Sequence, residues 1–368
     1  MIDTKIEDFL RLCPKNIPDK DFELLKEYAG QKQALVTKEE WASLIERVEC
    51  IISERCCVED GLAFVESTYR SFVCAFPNAF NQRMTLLESL CLKYLELGDF
   101  AKAHSCMDRY VFVAMAELNF HSNYSGARCY SFRPFTKYSL DDVRNETLSV
   151  AHPREFNDPL DTLLQFRLKQ EIEKPQGGND IELKKLLLLK KVCDNIKMRC
   201  LISSKYQENG TVKTRAIEDL SFLMWSHYAK SHTGFCIEYE FDRTLFEVDN
   251  QQEKQILLLG DVTYPETITV SGDFSFQKLL FEKSNFWQYE QELRLVRFEA
   301  ADTSKEKNRE EFPVIPCRGM IKAVYLGVNC SDRNRLNMIK AIGDKDIPLF
   351  QMISDYNNLG RLSKRQIG

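Results

Sequence analysis

The chain has 368 residues, of which 44% are hydrophobic and 29% are charged, and its formal net charge is −5. This length predicts two domains or one large domain, and the composition excludes a wholly disordered, collagen-like or coiled-coil protein. The slightly negative charge gives no overall signature of nucleic-acid binding, so a basic surface would have to be local.

The N-terminal segment is amphipathic and acidic, and it lacks the basic start and continuous apolar run of a signal peptide. No segment approaches the roughly 20 apolar residues that span a bilayer. The 13 cysteines are odd in number and include no Cys-x-x-Cys spacing, which favours reduced core thiols over disulfides or a zinc site. We therefore expect a cytoplasmic protein that does not cross a membrane.

Residues 1–125 are predicted to form an α-helical domain. Thr37 and Glu40 make a capping box ahead of residues 41–54, whose apolar positions follow helical spacing. An acidic helical domain of this kind is more typical of protein binding than of catalysis. Its charge supports the separation, because residues 1–126 carry 14 Lys and Arg against 20 Asp and Glu.

Residues 85–118 are predicted to be a helical hairpin that turns at Gly98. The small Ala101 follows the turn, where two helices approach closely. This stretch resembles one tetratricopeptide unit. An ordinary helical bundle explains the same pattern.

Residues 126–368 have the mixed pattern of an α+β domain. Two helices are predicted at residues 161–173 and 181–198, separated by a polar loop. Short strand candidates become frequent toward the C-terminus. They are residues 129–135, 147–153, 200–206, 234–241, 260–265, 287–298, 312–317 and 321–327.

Several familiar catalytic motifs are absent from the sequence. It contains no glycine-rich dinucleotide loop, no P-loop lysine, no zinc-protease helix and no serine nucleophile elbow. Only five histidines occur, and His227 and His232 do not have the spacing of paired zinc ligands. The sequence therefore predicts no metal site built on histidine.

An acidic row in the predicted strand 287–298 is the first candidate site. Alternate residues of a strand share a face, so Glu290, Glu292 and Arg294 are predicted to point the same way. The arginine compensates the repulsion between the two carboxylates. This row is expected to line a cleft beside Trp287, and an exposed edge strand with solvated charges is the alternative.

Two further clusters contain candidate residues. Asn157 and Asp158 precede a proline, and either caps the following helix or contributes to a site. Trp225, His227 and Tyr228 lie on one predicted helix. Aromatic residues of this kind either fill the core or stack against a planar ring such as nicotinamide or adenine.

Residues 129–330 resemble an uncharacterised bacterial family of unknown function. The resemblance rests on four motifs in order, over about 200 residues. They are the aromatic-x-x-Arg segment Tyr130–Arg133, the turn Phe156–Pro159, the helix Met224–Tyr228 with Gly234, and the strand Trp287–Arg294.

A looser resemblance to ADP-ribosyltransferases suggests a reaction. It implies a split sheet, with NAD as substrate and a macromolecule or water as acceptor, in bacterial toxicity, stress or anti-phage defence. Arg133 would hold a phosphate or ribose of NAD, and Ser203 and Ser204 would support the nicotinamide-ribose pocket. Glu292 would stabilise the cationic transition state, and Glu290 would orient or deprotonate the acceptor. Tyr130, Trp225, His227, Tyr228 and Arg294 are the other candidate NAD-binding residues.

The sequence departs from that pattern at two points. The family's Ser-Thr-Ser is here Ser203-Ser204-Lys205, and the separation between Arg133 and Glu292 is long. Two alternatives therefore stay open. One is a non-catalytic module that senses a ligand or protein. The other is a Mg²⁺-dependent nuclease or hydrolase that uses Asp158 with the two glutamates.

Overall fold

The computed structural model describes two compact units. The first comprises the described residues up to Glu117, with Pro175–Cys193 and Val248–Gln255, and the second comprises the rest. The predicted boundary at residue 125 lies close to the first division, and two later segments return to the first unit. The described residues are 62, 66, 69, 70, 73, 77–121, 128–156, 158, 161, 168–170, 172–173, 180–208, 211–220, 222–250, 252–268, 275–300, 313–354 and 361–368.

Two helices, α1 (Phe80–Glu96) and α2 (Phe100–His121), form a hairpin that begins in the first unit. They turn at Gly98, where φ is +75°, a conformation that favours glycine. The predicted hairpin and its turn are therefore present. The predicted helix at residues 41–54 lies outside the described residues.

A buried ionic cluster in the first unit holds the segment Val248–Gln255. Glu253 accepts hydrogen bonds from Arg83 at 2.7 Å, from Arg109 at 2.6 Å and from the Tyr69 hydroxyl at 2.8 Å. Arg83 is fully buried and Glu253 is 5% exposed. This segment is therefore fixed to the helices by charge as well as by packing.

The second unit is built on one eight-stranded, mostly antiparallel sheet in the order β12-β11-β10-β6-β1-β3-β8-β7. The prediction of a mixed α+β architecture is confirmed here. Two short ribbons, β2-β9 and β4-β5, accompany the sheet. The strands are β1 Arg128–Arg133, β2 Thr147–Ser149, β3 Lys197–Ser203, β4 Lys205–Glu208, β5 Thr211–Thr214, β6 Phe235–Glu240, β7 Gln255–Asp261, β8 Glu292–Glu299, β9 Val314–Pro316, β10 Ile321–Leu326, β11 Leu349–Ser354 and β12 Leu362–Gln366.

The further α-helices whose bounds the structure describes are α3 Lys137–Asn145, α4 Asp180–Cys193, α5 Phe222–His227, α6 Phe276–Phe281 and α7 Asp332–Ile342. The capping box of Thr136 and Ser139 starts α3. None of the helices in the described ranges has the length and apolar character of a membrane span.

Strand pairing around β1 is uneven. β1 pairs with β6 at six residue positions, whereas its register with β3 has only two, Cys129 with Ser203 and Tyr130 with Ile202. β3 in turn pairs with β8 at six positions. The sheet is therefore joined at one end of β1 and β3, and the two strands are not paired over the remainder of their described lengths.

The two faces of the sheet bury different apolar clusters. One contains Cys129, Leu201 and Leu293, and the other contains Tyr130, Ile202 and Trp225. This division follows from the two-residue period of a strand, because directly paired residues project to the same side. The face that carries Tyr130 and Ile202 also carries Glu292, the partner of Ile202 on β8.

The segment predicted as one strand over residues 287–298 is divided in the structure. Residues Asn285–Glu290 form a 3₁₀ helix, Gln291 adopts a left-handed φ of +45°, and β8 begins at Glu292. The prediction of a continuous strand was therefore wrong for its first half. The local turn is closed by a hydrogen bond from Gln291 N to Gln288 O.

Candidate active site

A cleft of about 330 Å³ lies in the second unit beside the region where β1 and β3 separate. Its described walls come from β1, β3, α5 and the segment that leads into β8. The lining residues are Tyr130, Phe132, Glu155, Phe156, Asp161, Met198, Arg199, Cys200, Leu201, Ile202, Met224, His227, Tyr228, Lys283, Glu290 and Glu292.

Lys283 binds all three carboxylates on the floor of this cleft. Its Nζ lies 2.7 Å from Glu290 Oε2 and 3.1 Å from Glu292 Oε2. It lies 3.4 Å from Asp161 Oδ2. Burial disfavours the ammonium, but the three carboxylates outweigh that effect and raise the pKa of Lys283. The lysine is therefore a fixed positive charge.

Glu292 is fixed between two cations. Arg294 Nε donates to Glu292 Oε1 at 2.6 Å, while Oε2 faces Lys283. Burial alone would favour the protonated acid. Arg294 and Lys283, with a hydrogen bond from the Cys200 thiol, nevertheless lower the pKa of Glu292 to about 2. Glu292 is therefore an anion at neutral pH, with both oxygens engaged.

Asp161 completes the network from a distant part of the chain. It accepts a hydrogen bond from Arg294 Nη2 at 2.6 Å. Its pKa is raised because burial and the neighbouring charge of Glu292 outweigh the attraction of Arg294 and Lys283. In the part of the chain that the structure describes, three carboxylates thus face two cations, which leaves one negative charge in excess when all are ionised.

Glu290 is held differently from Glu292. Its Oε1 accepts a hydrogen bond from the Tyr228 hydroxyl at 2.5 Å, and its Oε2 accepts one from Lys283. Glu290 is thus oriented by one neutral donor and one cation, and it forms part of the cleft wall. The predicted grouping of Glu290, Glu292 and Arg294 is present, although Arg294 is fully buried beneath the cleft.

The helix α5 supplies both core and cleft residues. Trp225 is fully buried and packs edge-on against Phe132, with ring centroids 4.9 Å apart. Tyr228 and His227 line the cleft. Beyond this helix, position 234 is a glycine because a Cβ there would lie 2.2 Å from Arg133 O, so no side chain fits. Trp225 therefore serves the core, and the other two aromatic residues face the cleft.

Arg133 lies outside the set of described lining residues. It follows Phe132 on β1 and so projects to the opposite side of the strand. Its Nη1 donates to Asp142 at 2.8 Å, and its Nη2 donates to Ser149 Oγ at 3.0 Å. The expected convergence of Arg133 with Glu292 in one cleft does not occur, because Asp142 and Ser149 hold the Arg133 guanidinium outside the described cleft lining.

Ser203 and Ser204 lie at the junction of β3 and β4. The Ser203 carbonyl accepts two hydrogen bonds from Arg215, at 3.1 and 3.0 Å, and Ser204 N donates to Arg128 O at 2.8 Å. Both serines are buried and lie outside the described lining set. In the structure they therefore fix a strand junction and do not join the glutamates.

The remaining predicted residues have separate positions. The Trp287 ring lies 4.8 Å from Lys283 Nζ and covers the ammonium. Asp158 accepts a backbone hydrogen bond from Asp161 N at 3.1 Å, and it is Asp161 that reaches the glutamates. Asn157 lies outside the described residues. The nuclease alternative required Asp158 beside Glu290 and Glu292, and the structure places Asp161 there.

Sequence reasoning missed Lys283, Asp161 and Arg199. Lys283 lies two residues after Phe281, the apolar end of α6, and a charged residue so close to an apolar run was a usable signal. The sequence pattern predicts Asp161 only as the first residue of a helix. Among the described residues, no group of three or more His, Cys, Asp or Glu side chains is arranged to hold a metal ion.

Residues 224–295 match a family model. The family is described as a protein of unknown function (DUF2971). The match begins at Met224 on α5 and ends at Leu295 on β8, so it covers Tyr228, Lys283, Glu290 and Glu292. The predicted resemblance to an uncharacterised family is confirmed over this segment. No curated protein and no solved structure matches the chain.

Proposed function

We propose that the second unit cleaves the bond between nicotinamide and ribose in NAD and transfers ADP-ribose to a macromolecule or to water. The observation that carries the proposal is the excess negative charge on the floor of an aromatic cleft. Breaking a glycosidic bond builds positive charge on the sugar. Preorganised negative charge in a water-poor site stabilises that charge.

The order of the strands supports the same proposal. Arg133, Ser203 and Glu292 lie on β1, β3 and β8, which are consecutive neighbours in the sheet. The short pairing of β1 with β3, beside a cleft lined by both strands, agrees with the split sheet that the ADP-ribosyltransferase resemblance implies. That resemblance supplies the reaction, and the cleft supplies the place for it.

We assign the carboxylate that faces the sugar to Glu290 instead of Glu292. Both oxygens of Glu292 are engaged by Arg294 and Lys283, so its charge is largely neutralised. Among the described residues Glu290 has Lys283 as its cationic partner, and it is oriented by Tyr228. Nicotinamide leaves as a neutral molecule with the electrons of the broken bond. The acceptor atom bonds to the ribose carbon and loses a proton.

The experiment is to incubate the protein with NAD labelled in its adenylate half and with cell extract, and then to follow the label. We expect E290Q to lower the rate of NAD consumption by about 100-fold or more, the typical effect of removing one transition-state contact. The matched control is E299Q, because Glu299 lies at the far end of β8, the strand that follows Glu290, and pairs with Arg297 outside the described cleft lining. Equal rates for wild type and E290Q, or no NAD consumption by wild type, would contradict the proposal.

We extend the proposal to the setting that the resemblances imply. The protein would act in the cytoplasm in bacterial conflict or stress, and the helical N-terminal region would bind a protein partner. Expression of the wild-type chain in bacteria should then lower cellular NAD and slow growth, and expression of E290Q should do neither. Equal growth and equal NAD content with both chains would contradict this setting.

A ligand-sensing module is the second candidate, and one observation favours it. Each carboxylate of the cluster is already bound to Lys283 or Arg294, as in a structural network. A sensor would bind NAD or ADP-ribose in the cleft and leave NAD intact. Binding without turnover, measured on the same protein sample, separates this candidate from the enzyme.

A further inference from the structure

Arg199 is a cleft residue that the proposed reaction has not used. It lies on β3, where that strand is separated from β1, and it is half-buried in the cleft wall. Its Nη2 donates a hydrogen bond to Ser149 Oγ at 3.2 Å. Its Nε is buried and has no hydrogen-bond partner within the described part of the chain. Buried guanidinium groups ordinarily satisfy their donors, so this side chain retains unused donor capacity.

The Ser149 hydroxyl joins Arg199 to Arg133. It accepts from Nη2 of both arginines, at 3.2 and 3.0 Å, and donates to Asp142 Oδ2 at 2.8 Å. Asp142 also binds Arg133 Nη1 at 2.8 Å. Among the described residues, one carboxylate therefore faces two guanidinium groups, which leaves a positive charge in excess. Arg133 is committed to Asp142, so the excess falls on Arg199.

The cleft thus has two electrostatically different regions. Glu290, Glu292 and Asp161 make one region negative, and Arg199, which donates to Ser149 outside the described lining, makes the other positive. Glu155, the other acidic lining residue, is exposed to solvent. A ligand that suits both regions carries an anionic group apart from the sugar on which positive charge develops.

We infer that Arg199 binds a phosphate group of a nucleotide ligand, with Ser149 orienting the guanidinium, and that Arg133 has a structural role instead. The inference rests on the proposed function only in taking the ligand to be a nucleotide. A guanidinium presents parallel donors that match two phosphate oxygens, and such charge-assisted hydrogen bonds are among the strongest in proteins. The role expected for Arg133 from sequence therefore passes to a residue on the neighbouring strand.

Calorimetric titration of the full-length protein with ADP, and separately with adenosine, tests the inference. Wild type should bind ADP at least about tenfold more tightly than adenosine. R199Q should bind ADP about tenfold or more weakly than wild type and should bind adenosine unchanged. R199K, which keeps the charge without the planar fork, should lie between. R297Q is the matched control, because Arg297 lies on the adjacent strand β8 and outside the described cleft lining.

Equal ADP affinity for R199Q and wild type would overturn the inference, and so would equal affinity of wild type for ADP and adenosine. Thermal unfolding of each variant shows whether a loss of binding reflects a loss of folding. Unchanged adenosine binding shows that the cleft itself is intact. Binding of ADP that depends on Arg199 in a protein that does not cleave NAD would support this inference and reject the proposed reaction. NAD cleavage by R199Q with an unchanged KM would support the proposed reaction and reject this inference.

Discussion

Replacement of Lys283 by methionine tests whether one ammonium group holds the carboxylate cluster together. Methionine occupies a similar volume without charge. Of the described cations at the cluster, Arg294 would then remain, bound to Asp161 and Glu292, and Glu290 would lose its ion pair. Lys283 Nζ lies between 2.7 and 3.4 Å from those carboxylates. Lys283 as a whole residue is 6% exposed. Removing one partner of a buried ion pair costs about 3–5 kcal/mol. We therefore expect K283M to lower the free energy of unfolding of the second unit by about that amount at pH 7.

Urea denaturation followed by tryptophan fluorescence measures this loss, because the Trp287 ring covers Lys283 Nζ at 4.8 Å. K278M is the matched control, since Lys278 lies exposed on α6. Adding E290Q to K283M should restore part of the stability, because it removes one uncompensated charge. A loss below about 1 kcal/mol for K283M, or no recovery in the double variant, would refute the argument that the cluster depends on this charge.

Three other changes have expected outcomes. Y228F removes the neutral donor to Glu290 and should lower the rate of NAD consumption about tenfold or more while shifting the melting temperature little; an unchanged rate would contradict the positioning role. The pKa of Glu292 is low, so its ion pairs stabilise the fold fully above pH 4.5 and lose that effect as the pH falls toward 2. E292Q should therefore make the free energy of unfolding depend less on pH in that range. Parallel profiles for E292Q and wild type would contradict this. E253Q removes the carboxylate charge that pairs with Arg83 and Arg109, and it should lower the free energy of unfolding of the first unit by about 2–4 kcal/mol. Chemical denaturation measures this loss. An unchanged free energy of unfolding would show that the cluster does not stabilise the unit.

The sequence predicted the acidic row better than it predicted the backbone that carries it. Glu290, Glu292 and Arg294 lie together, yet Glu290 belongs to a 3₁₀ helix and not to the strand. The left-handed Gln291 returns the chain to an extended course, and so the carboxylates still meet. Alternation in sequence favoured a strand, and a single residue with positive φ altered the local structure without separating the charges.

Ion pairs between residues far apart in the chain could not be predicted from the sequence. Asp161 and Arg294 are 133 positions apart, and their contact at 2.6 Å depends on how the sheet assembles. Arg133 was correctly placed on the first strand of the sheet, but which face it occupies followed from a register that local pattern does not fix. The sequence allowed two hypotheses for Trp225, a core residue or a surface for stacking a ligand ring. Its packing against Phe132 supports the core position.

One structure with a bound ligand tests both the split sheet and the proposed reaction. The most direct measurement is a crystal structure of the protein with ADP-ribose at saturating concentration. We predict that the ligand lies in the cleft beside β1 and β3, with the ribose within hydrogen-bonding distance of Glu290 and a phosphate on Arg199. Ligand bound elsewhere, or an empty cleft at saturation, would contradict it.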